Sequence, residues 1–261
     1  MGKIIKEKFC CKRVDYRIAG IVLRPNKNNL PIAILSHGFL ANSKMMSQYM
    51  RLFAELGYAA FSFDFVGGCI KGKSDGKLTD MSVLTEVEDL KAVIEFAKSQ
   101  TYVNPENICL MGCSQGGVVS ALCAAELKEQ IEKLILFYTA FCIPDDAKSG
   151  KMIMFNFNPD NIPDIIKCKI PCVKISKKYP EAVIDMDIWE EISGYKGNVL
   201  IVHGTRDKIV KPSYAEKAKI EYDVSGANCK LVMIEGGGHF FRGKYDKTAM
   251  RILHEFCNHK S

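Results

Sequence analysis

Residues 108–124 read "ICLMGCSQGGVVSALCA". An apolar run of strand length meets a serine set among glycines, and an apolar-periodic segment of helix length follows. A G-x-S-x-G turn bends strand into helix so sharply that the serine is held in a strained backbone conformation. Gly112 and Gly116 fit the bend because side chains there would collide across it. The turn lifts the Ser114 hydroxyl above the sheet edge, close to a helix N-terminus. The hexapeptide alone is weak evidence, but the strand before it and the helix after it make Ser114 a candidate nucleophile.

Outward from this turn, strand-length apolar runs alternate with helix-period segments. "YRIAGIVLRP" (16–25) alternates and is expected to pair with the first residues as an antiparallel hairpin. "PIAILSHG" (31–38) is nearly all apolar, as a strand covered on both faces should be. A helix from about 44 to 56, closed by Gly57, leads to a strand at 58–65 and a helix at 83–98 with Leu84, Val87, Leu90, Val93, Ile94 and Ala97 on one face. Beyond the strand at 108–112 come a helix at 115–128, strands at 133–139 and 198–204, a helix near 213–221, a strand at 230–236 and a final helix over about 245–257. This order predicts an α/β chain with a doubly wound, mostly parallel sheet. Residues 140–190 break the rhythm, holding five of the nine prolines and the only tryptophan, Trp189. They are expected to form a small inserted cap on a core of 1–139 and 191–261, folded over the sheet edge where such folds bind ligands.

The composition excludes several classes. The net charge of +6 is spread along the chain, and its sharpest cluster, "KEKFCCKR" (6–13), is too short to imply nucleic acid. Eleven cysteines, mostly in apolar surroundings, fit buried thiols in a reducing cytoplasm better than a disulfide framework. Cys109/Cys113 and Cys168/Cys172 have no nearby histidines, so no zinc is expected. The start lacks a signal-peptide apolar region, and no apolar run reaches about 18 residues. The expectation is a soluble cytoplasmic protein with no metal, cofactor, nucleic-acid or membrane partner; a homodimer is left open.

"GGCIKGKS" (67–74) matches a phosphate-loop pattern. Phosphate cradling needs a helix to begin at the Lys-Ser pair. "DGKLTD" follows instead, which is turn chemistry, and the next helix begins near Ser82. A Gly-rich loop beside the sheet is the expected reading.

A serine hydroxyl needs a base to take its proton. Of His37, His203, His239, His254 and His259, only His239 in "EGGGHFF" follows a late strand that returns it to the edge bearing Ser114. His254 and His259 are expected at the surface, His203 in a structural role, and His37 as a brace for its loop. The orienting acid should end the preceding strand, as Asp207 does in "LIVHGTRDKIV"; Asp185 and Asp187 are its rivals. The order Ser114, Asp207, His239 suits a nucleophile after a central strand and partners after later ones. An oxyanion hole needs two N–H donors, expected from Gln115 and, in "SHGFLANS", from Phe39.

Together, "HGF" (37–39), "SDGK" (74–77), "GCSQGG", "HGTRD" and "GGGHFF" resemble the α/β-hydrolase fold over nearly the whole chain, and the bacterial cinnamoyl/feruloyl esterase group in particular. "NFNPDNIPD" (156–164) is similar to the start of that group's cap. The resemblance implies Ser114 as nucleophile, His239 as base, Asp207 as its partner, and Phe39 and Gln115 N–H as the oxyanion hole. It also implies Asp146, with Asp145 adjacent, as a contact for the phenolic hydroxyls of a hydroxycinnamate. The sequence departs from the group in having Cys113 where His is frequent, and "VGGCIKGKSDG" in place of an Arg-Gly-His-Gly loop. It assigns no counterpart to the group's phenol-contacting cap tyrosine.

The expected function is a serine carboxylic-ester hydrolase acting on a small-molecule ester, hydroxycinnamoyl or short acyl, through an acyl-enzyme. Alternatives are an acylglycerol lipase, thioesterase or peptidase of the same fold, favoured by the apolar "MIMFNF" (152–157), and a non-catalytic small-molecule receptor.

Overall fold

A computed structural model describes residues 3–258. The chain opens on the hairpin of β1 (Ile4–Arg13) and β2 (Tyr16–Pro25), with Ile4 opposite Pro25. Next come β3 (Leu30–Ser36), α1 (Ser47–Glu55), β4 (Ala59–Phe63), α2 (Val83–Lys98), β5 (Val103–Cys113), α3 (Gln115–Leu127) and β6 (Lys133–Phe137). The proline-rich stretch holds α4 (Ile143–Ser149), two small two-stranded sheets formed by β7 (Lys151–Met152) with β8 (Phe155–Asn156) and β9 (Ile165–Lys167) with β10 (Lys174–Ser176), then α5 (Lys178–Glu181) and α6 (Ile188–Ile192). The chain closes with β11 (Asn198–Gly204), α7 (Ser213–Val224), β12 (Asn228–Ile234) and α8 (Lys244–Asn258).

The main sheet runs β1-β2-β4-β3-β5-β6-β11-β12. Neighbours from β4 to β12 are parallel, and the β1–β2 hairpin adds an antiparallel edge. Period-two alternation sorts each central strand between two cores. On one face Ile32, Ile34, Leu110, Leu134, Leu136, Val199 and Ile201 pack with α2, α3 and α7. On the other Ala33, Leu35, Met111, Ile135, Phe137, Leu200 and Val202 pack with α1 and α8. Both faces are covered, which is why these strands read as unbroken apolar runs. Phe155, Ile175, Tyr179 and Ile192 belong to the first core, so the proline-rich stretch shares its apolar interior with α2 and α3.

Three expectations shift. The helix expected from 44 begins with a 3₁₀ turn, Ser43–Met46, because the Asn42 side chain accepts the Lys44 N–H at 3.1 Å and tightens the entry. Strand β5 starts at Val103, before its apolar run, through a register shift opposite Leu30–Ile32. On α2, Leu84 is 44 % exposed. The other five residues expected on the buried face, Val87, Leu90, Val93, Ile94 and Ala97, are buried, and Val83, Glu86 and Asp89 join them where Leu84 was expected.

The turn between β5 and α3 is sterically closed. A Cβ on Gly112 would lie 2.1 Å from Gly116 O, and one on Gly116 would lie 2.3 Å from His37 O. These are backbone atoms of neighbouring elements and cannot swing aside. Gly116→Ala is therefore expected to destabilise the fold by roughly 1–3 kcal/mol or more. In thermal unfolding the midpoint should drop by at least ~2 °C for a chain of this size; an unchanged midpoint would contradict the packing.

Candidate active site

The bend leaves Ser114 at φ 55°, ψ −123°, between the last residue of β5 and the first of α3. Positive φ is costly for a residue with a Cβ, and the surroundings hold it there. Ser114 N–H donates to Phe137 O at 3.0 Å, while Ser114 O accepts from Gly117 and Ala140 N–H at 3.0 and 3.1 Å. Gly38 faces it from the loop after β3, where an added Cβ would stand 3.1 Å from Ser114 Cβ.

The loops after β11 and β12 are stitched together. Arg206 N–H donates to Gly237 O at 2.8 Å, Thr205 N–H to Ile234 O at 3.1 Å, and Gly236 N–H to Thr205 Oγ1 at 2.9 Å. This brings Asp207 and His239 to one rim with Ser114. His239 Nε2 lies 3.1 Å from Ser114 Oγ and its Nδ1 2.7 Å from Asp207 Oδ2. The Nδ1 proton belongs on the Asp207 side, leaving the Nε2 lone pair toward the serine. The imidazole packs against Tyr138 and Phe240, with ring centroids 4.7 and 4.5 Å away.

Asp207 is held as an anion. Burial opposes its ionisation, but hydrogen bonds from His203 and His239 and the Val210 N–H outweigh that and hold the carboxyl well below the usual range. Oδ1 accepts from Ile209 and Val210 N–H at 2.8 and 3.0 Å. Buried His203 adds what its sequence position did not convey: its Nε2 lies 3.3 Å from Asp207 Oδ2 and 3.1 Å from Val210 O, so it buttresses the acid. The i,i+4 spacing in "HGTRD" was the available signal. The rival Asp187 caps α6 through Trp189 N–H at 3.0 Å, and Asp185 is exposed. His254 is exposed and bonded to Asn258; His259 lies outside the described residues.

His37 stands apart from this line. Its Nδ1 donates to Gly38 O at 2.8 Å, and its Nε2 accepts from Phe65 N–H at 3.3 Å and from the Cys69 thiol at 3.2 Å. Burial lowers its pKa to about 4, so it is a neutral brace for the loop carrying Phe39. The N–H groups of Phe39 and Gln115 have no backbone acceptor among the described residues. The Phe39 ring meets Phe155 edge-on at 6.2 Å and Tyr179 at 5.7 Å. Tyr179, which the sequence did not single out, donates its hydroxyl to Gln115 Oε1. Asp146 on α4 is half-buried against the Cys142 thiol, and burial raises its pKa. It makes no hydrogen bond to Ser114, His239 or Asp207; the Tyr179 phenol is pushed up chiefly by burial and then by its acidic neighbours, Glu86 before Asp146. Asp145 is turned away and accepts from Tyr214 at 2.7 Å.

One metal-type cluster occurs among the described residues, His37, Asp64 and Cys69, with ligand atoms within 4.8 Å of one another. Both Asp64 oxygens already accept backbone N–H groups, from Ser43 and Lys73, each at 2.8 Å. The pocket of about 240 Å³ that opens on Asp64 is lined by Lys8, Arg17, Lys44, Lys71 and Lys73, a field that repels a cation. The phosphate-like loop is likewise committed elsewhere: Ser74 Oγ accepts Ala19 N–H at 2.9 Å and donates to Asp64 O, and α2 starts only after Ser82.

Residues 28–166 match the family model described as serine aminopeptidase, S33. The chain belongs to this family of α/β hydrolases. Its relatives include an uncharacterized 31.7 kDa protein of Escherichia coli, 31 % identical over 147 residues, 54 % of this chain and 50 % of that protein. Human alpha/beta hydrolase domain-containing protein 17B is 25 % identical over 224 residues, 85 % of this chain and 65 % of that protein. The S33-family chain thus spans about half the length of the first relative and just under two thirds of the second. Among solved structures, Est1E from Butyrivibrio proteoclasticus with ferulic acid bound superposes with a TM-score of 0.86 at 28 % identity, covering 95 % of this chain and 97 % of that one. DcsB in complex with its substrate analogue, at 19 % identity and a TM-score of 0.75 over 97 % and 98 % of the two chains, shares the fold. No helix among the described residues is long and apolar enough to cross a membrane.

A carboxyl whose folded pKa is depressed adds stability above its unfolded value, about 3.9, and loses it as pH falls toward the folded value. The melting-point gap between wild type and Asp207→Asn should therefore be widest near neutrality and shrink below about pH 4. A gap that stays constant from pH 7 to pH 3 would mean that Asp207 carries no such linkage.

Proposed function

We propose that this S33-family hydrolase is a serine carboxylic-ester hydrolase that cleaves hydroxycinnamoyl esters and short acyl esters. The observation that carries the reading is the unbroken hydrogen-bonded line Ser114–His239–Asp207, 3.1 and 2.7 Å long. In this reading Ser114 Oγ attacks the ester carbonyl while His239 Nε2 takes its proton, and Asp207 stabilises the imidazolium. The carbonyl electrons move to oxygen, where the Gln115 and Phe39 N–H groups receive the charge. Collapse breaks the C–O bond to the alcohol, which leaves with the proton from His239. Water, deprotonated by the same imidazole, then releases the acid and restores Ser114.

The acyl preference draws support from the likeness to Est1E, solved with ferulic acid, and from the aromatic wall of Phe39, Phe155 and Tyr179. The small sheets and short helices between β6 and β11 would act as the cap, with Asp146 near the phenol of a bound acyl group. A second reading, peptide-bond cleavage by the same residues, is favoured by the family's description. Eleven free cysteines, five of them buried, support a reducing, cytoplasmic setting.

Steady-state rates on methyl ferulate, p-nitrophenyl butyrate, a long-chain monoglyceride and an aminoacyl anilide separate these readings. Methyl ferulate should give the highest kcat/KM. Ser114→Ala should lower kcat by about 10⁴ or more, and Asp207→Asn by about 10⁴. Retained turnover in Ser114→Ala would sink the mechanism, and preference for the anilide would sink the substrate class.

A further inference from the structure

Glu86, in the first turn of α2, is 1 % exposed although it carries a carboxyl. Burial drives its pKa well above the usual carboxylate range, an effect that the Gln115 bond only partly offsets. Glu86 Oε2 accepts from Gln115 Nε2 at 2.7 Å, and Gln115 Oε1 accepts from the Tyr179 hydroxyl. Gln115 and Tyr179 are themselves 1 % and 2 % exposed. An added Cβ at Gly68 would stand 2.6 Å from Glu86 Oε1, so the Gly-rich loop after β4 closes over the carboxyl and leaves it no room to turn away. One buried chain of hydrogen bonds therefore joins α2, the first residue of α3 and α5 in the proline-rich stretch.

We infer that Glu86 is a positioning residue: through Gln115 it fixes the oxyanion N–H, and through Tyr179 it ties the cap to the catalytic turn. The catalytic half of this inference rests on the hydrolase reading above; the tie itself does not. An oxyanion donor works only if it already stands where charge develops. The Gln115 side chain is gripped at both ends, by an acceptor on Nε2 and a donor on Oε1, so its Cα and backbone N–H cannot drift. A neutral carboxylic acid at position 86 accepts from Gln115 through one oxygen and carries its proton on the other. An amide reproduces this arrangement, whereas an apolar side chain of similar size does not.

The test compares Glu86→Gln with Glu86→Leu by two readouts. The first is kcat on p-nitrophenyl acetate and methyl ferulate, counted per Ser114 titrated with a fluorophosphonate so that misfolded protein drops out. Glu86→Leu should lose roughly 10²-fold in kcat per site on both esters, the effect of a misplaced catalytic group. Its KM should rise for ferulate and stay level for acetate, and Glu86→Gln should recover the wild-type values. The second is amide hydrogen exchange over residues 174–181, which should quicken in Glu86→Leu and not in Glu86→Gln. Unchanged per-site kcat in Glu86→Leu overturns the catalytic half, as does a Glu86→Gln variant as impaired as Glu86→Leu. Exchange equal in all three proteins overturns the tie to the cap. If the wild type neither labels at Ser114 nor cleaves any ester, the hydrolase reading falls by itself, and the exchange comparison alone decides whether Glu86 makes the tie.

Discussion

The rest of the molecule is organised around one steric constraint, the forced bend at Ser114. Strand β5 must become helix α3 within a single residue, and the absence of a Cβ on Gly112, where one would stand 2.1 Å from Gly116 O, lets the backbone do so. The strained φ of 55° is supported from three sides, by the Phe137 carbonyl, by the Gly117 and Ala140 amides, and by Gly38 packed against Ser114 Cβ. Strain of this kind persists only where the surroundings over-determine it. The parallel strands β3, β5 and β6 provide that setting, because their carboxyl ends stop at one rim and deliver loops rather than side chains to the serine.

Charge is handled by the same economy of neighbours. Asp207 is buried yet anionic because three kinds of donor converge on it: the backbone N–H groups of Ile209 and Val210, His203, and His239. Glu86, more deeply buried, faces one amide donor, so burial prevails and drives its pKa well above the usual carboxylate range. Asp89, three residues after Glu86 on α2, accepts Val66 N–H at 2.8 Å and pairs with Arg13; burial still raises its pKa to about 6. Three carboxyls thus differ in how readily each ionises, set by burial and by the donors each one meets.

Much of this was legible in the sequence, for physical reasons that can be named. Strands covered on both faces read as apolar runs, so β3, β6 and β11 were located to within a few residues, and the turn chemistry of "DGKLTD" put the start of α2 near Ser82. Ser114, Asp207 and His239 were legible because each follows such a strand at the same end. What stayed hidden was whatever depends on side chains meeting across elements. Periodicity assigned Leu84 inward, whereas Glu86, on the opposite side of the helix from it, is the buried residue and meets the amide of Gln115. Tyr179 sits in a proline-rich stretch with no regular period, so its bond to Gln115 had no local signal. His203 ends its strand as an apolar-run residue, and its grip on Asp207 appears only when the following loop folds back.

The proposed chemistry requires that Ser114 Oγ be the atom that His239 activates. Peptide mapping by mass spectrometry after exposure to a fluorophosphonate tests this most directly, in the wild type and in His239→Ala. The wild type should carry one equivalent of phosphonyl adduct, confined to the peptide bearing Ser114, and His239→Ala almost none at the same exposure. An adduct on another serine, or equal labelling of Ser114 without the imidazole, would contradict it.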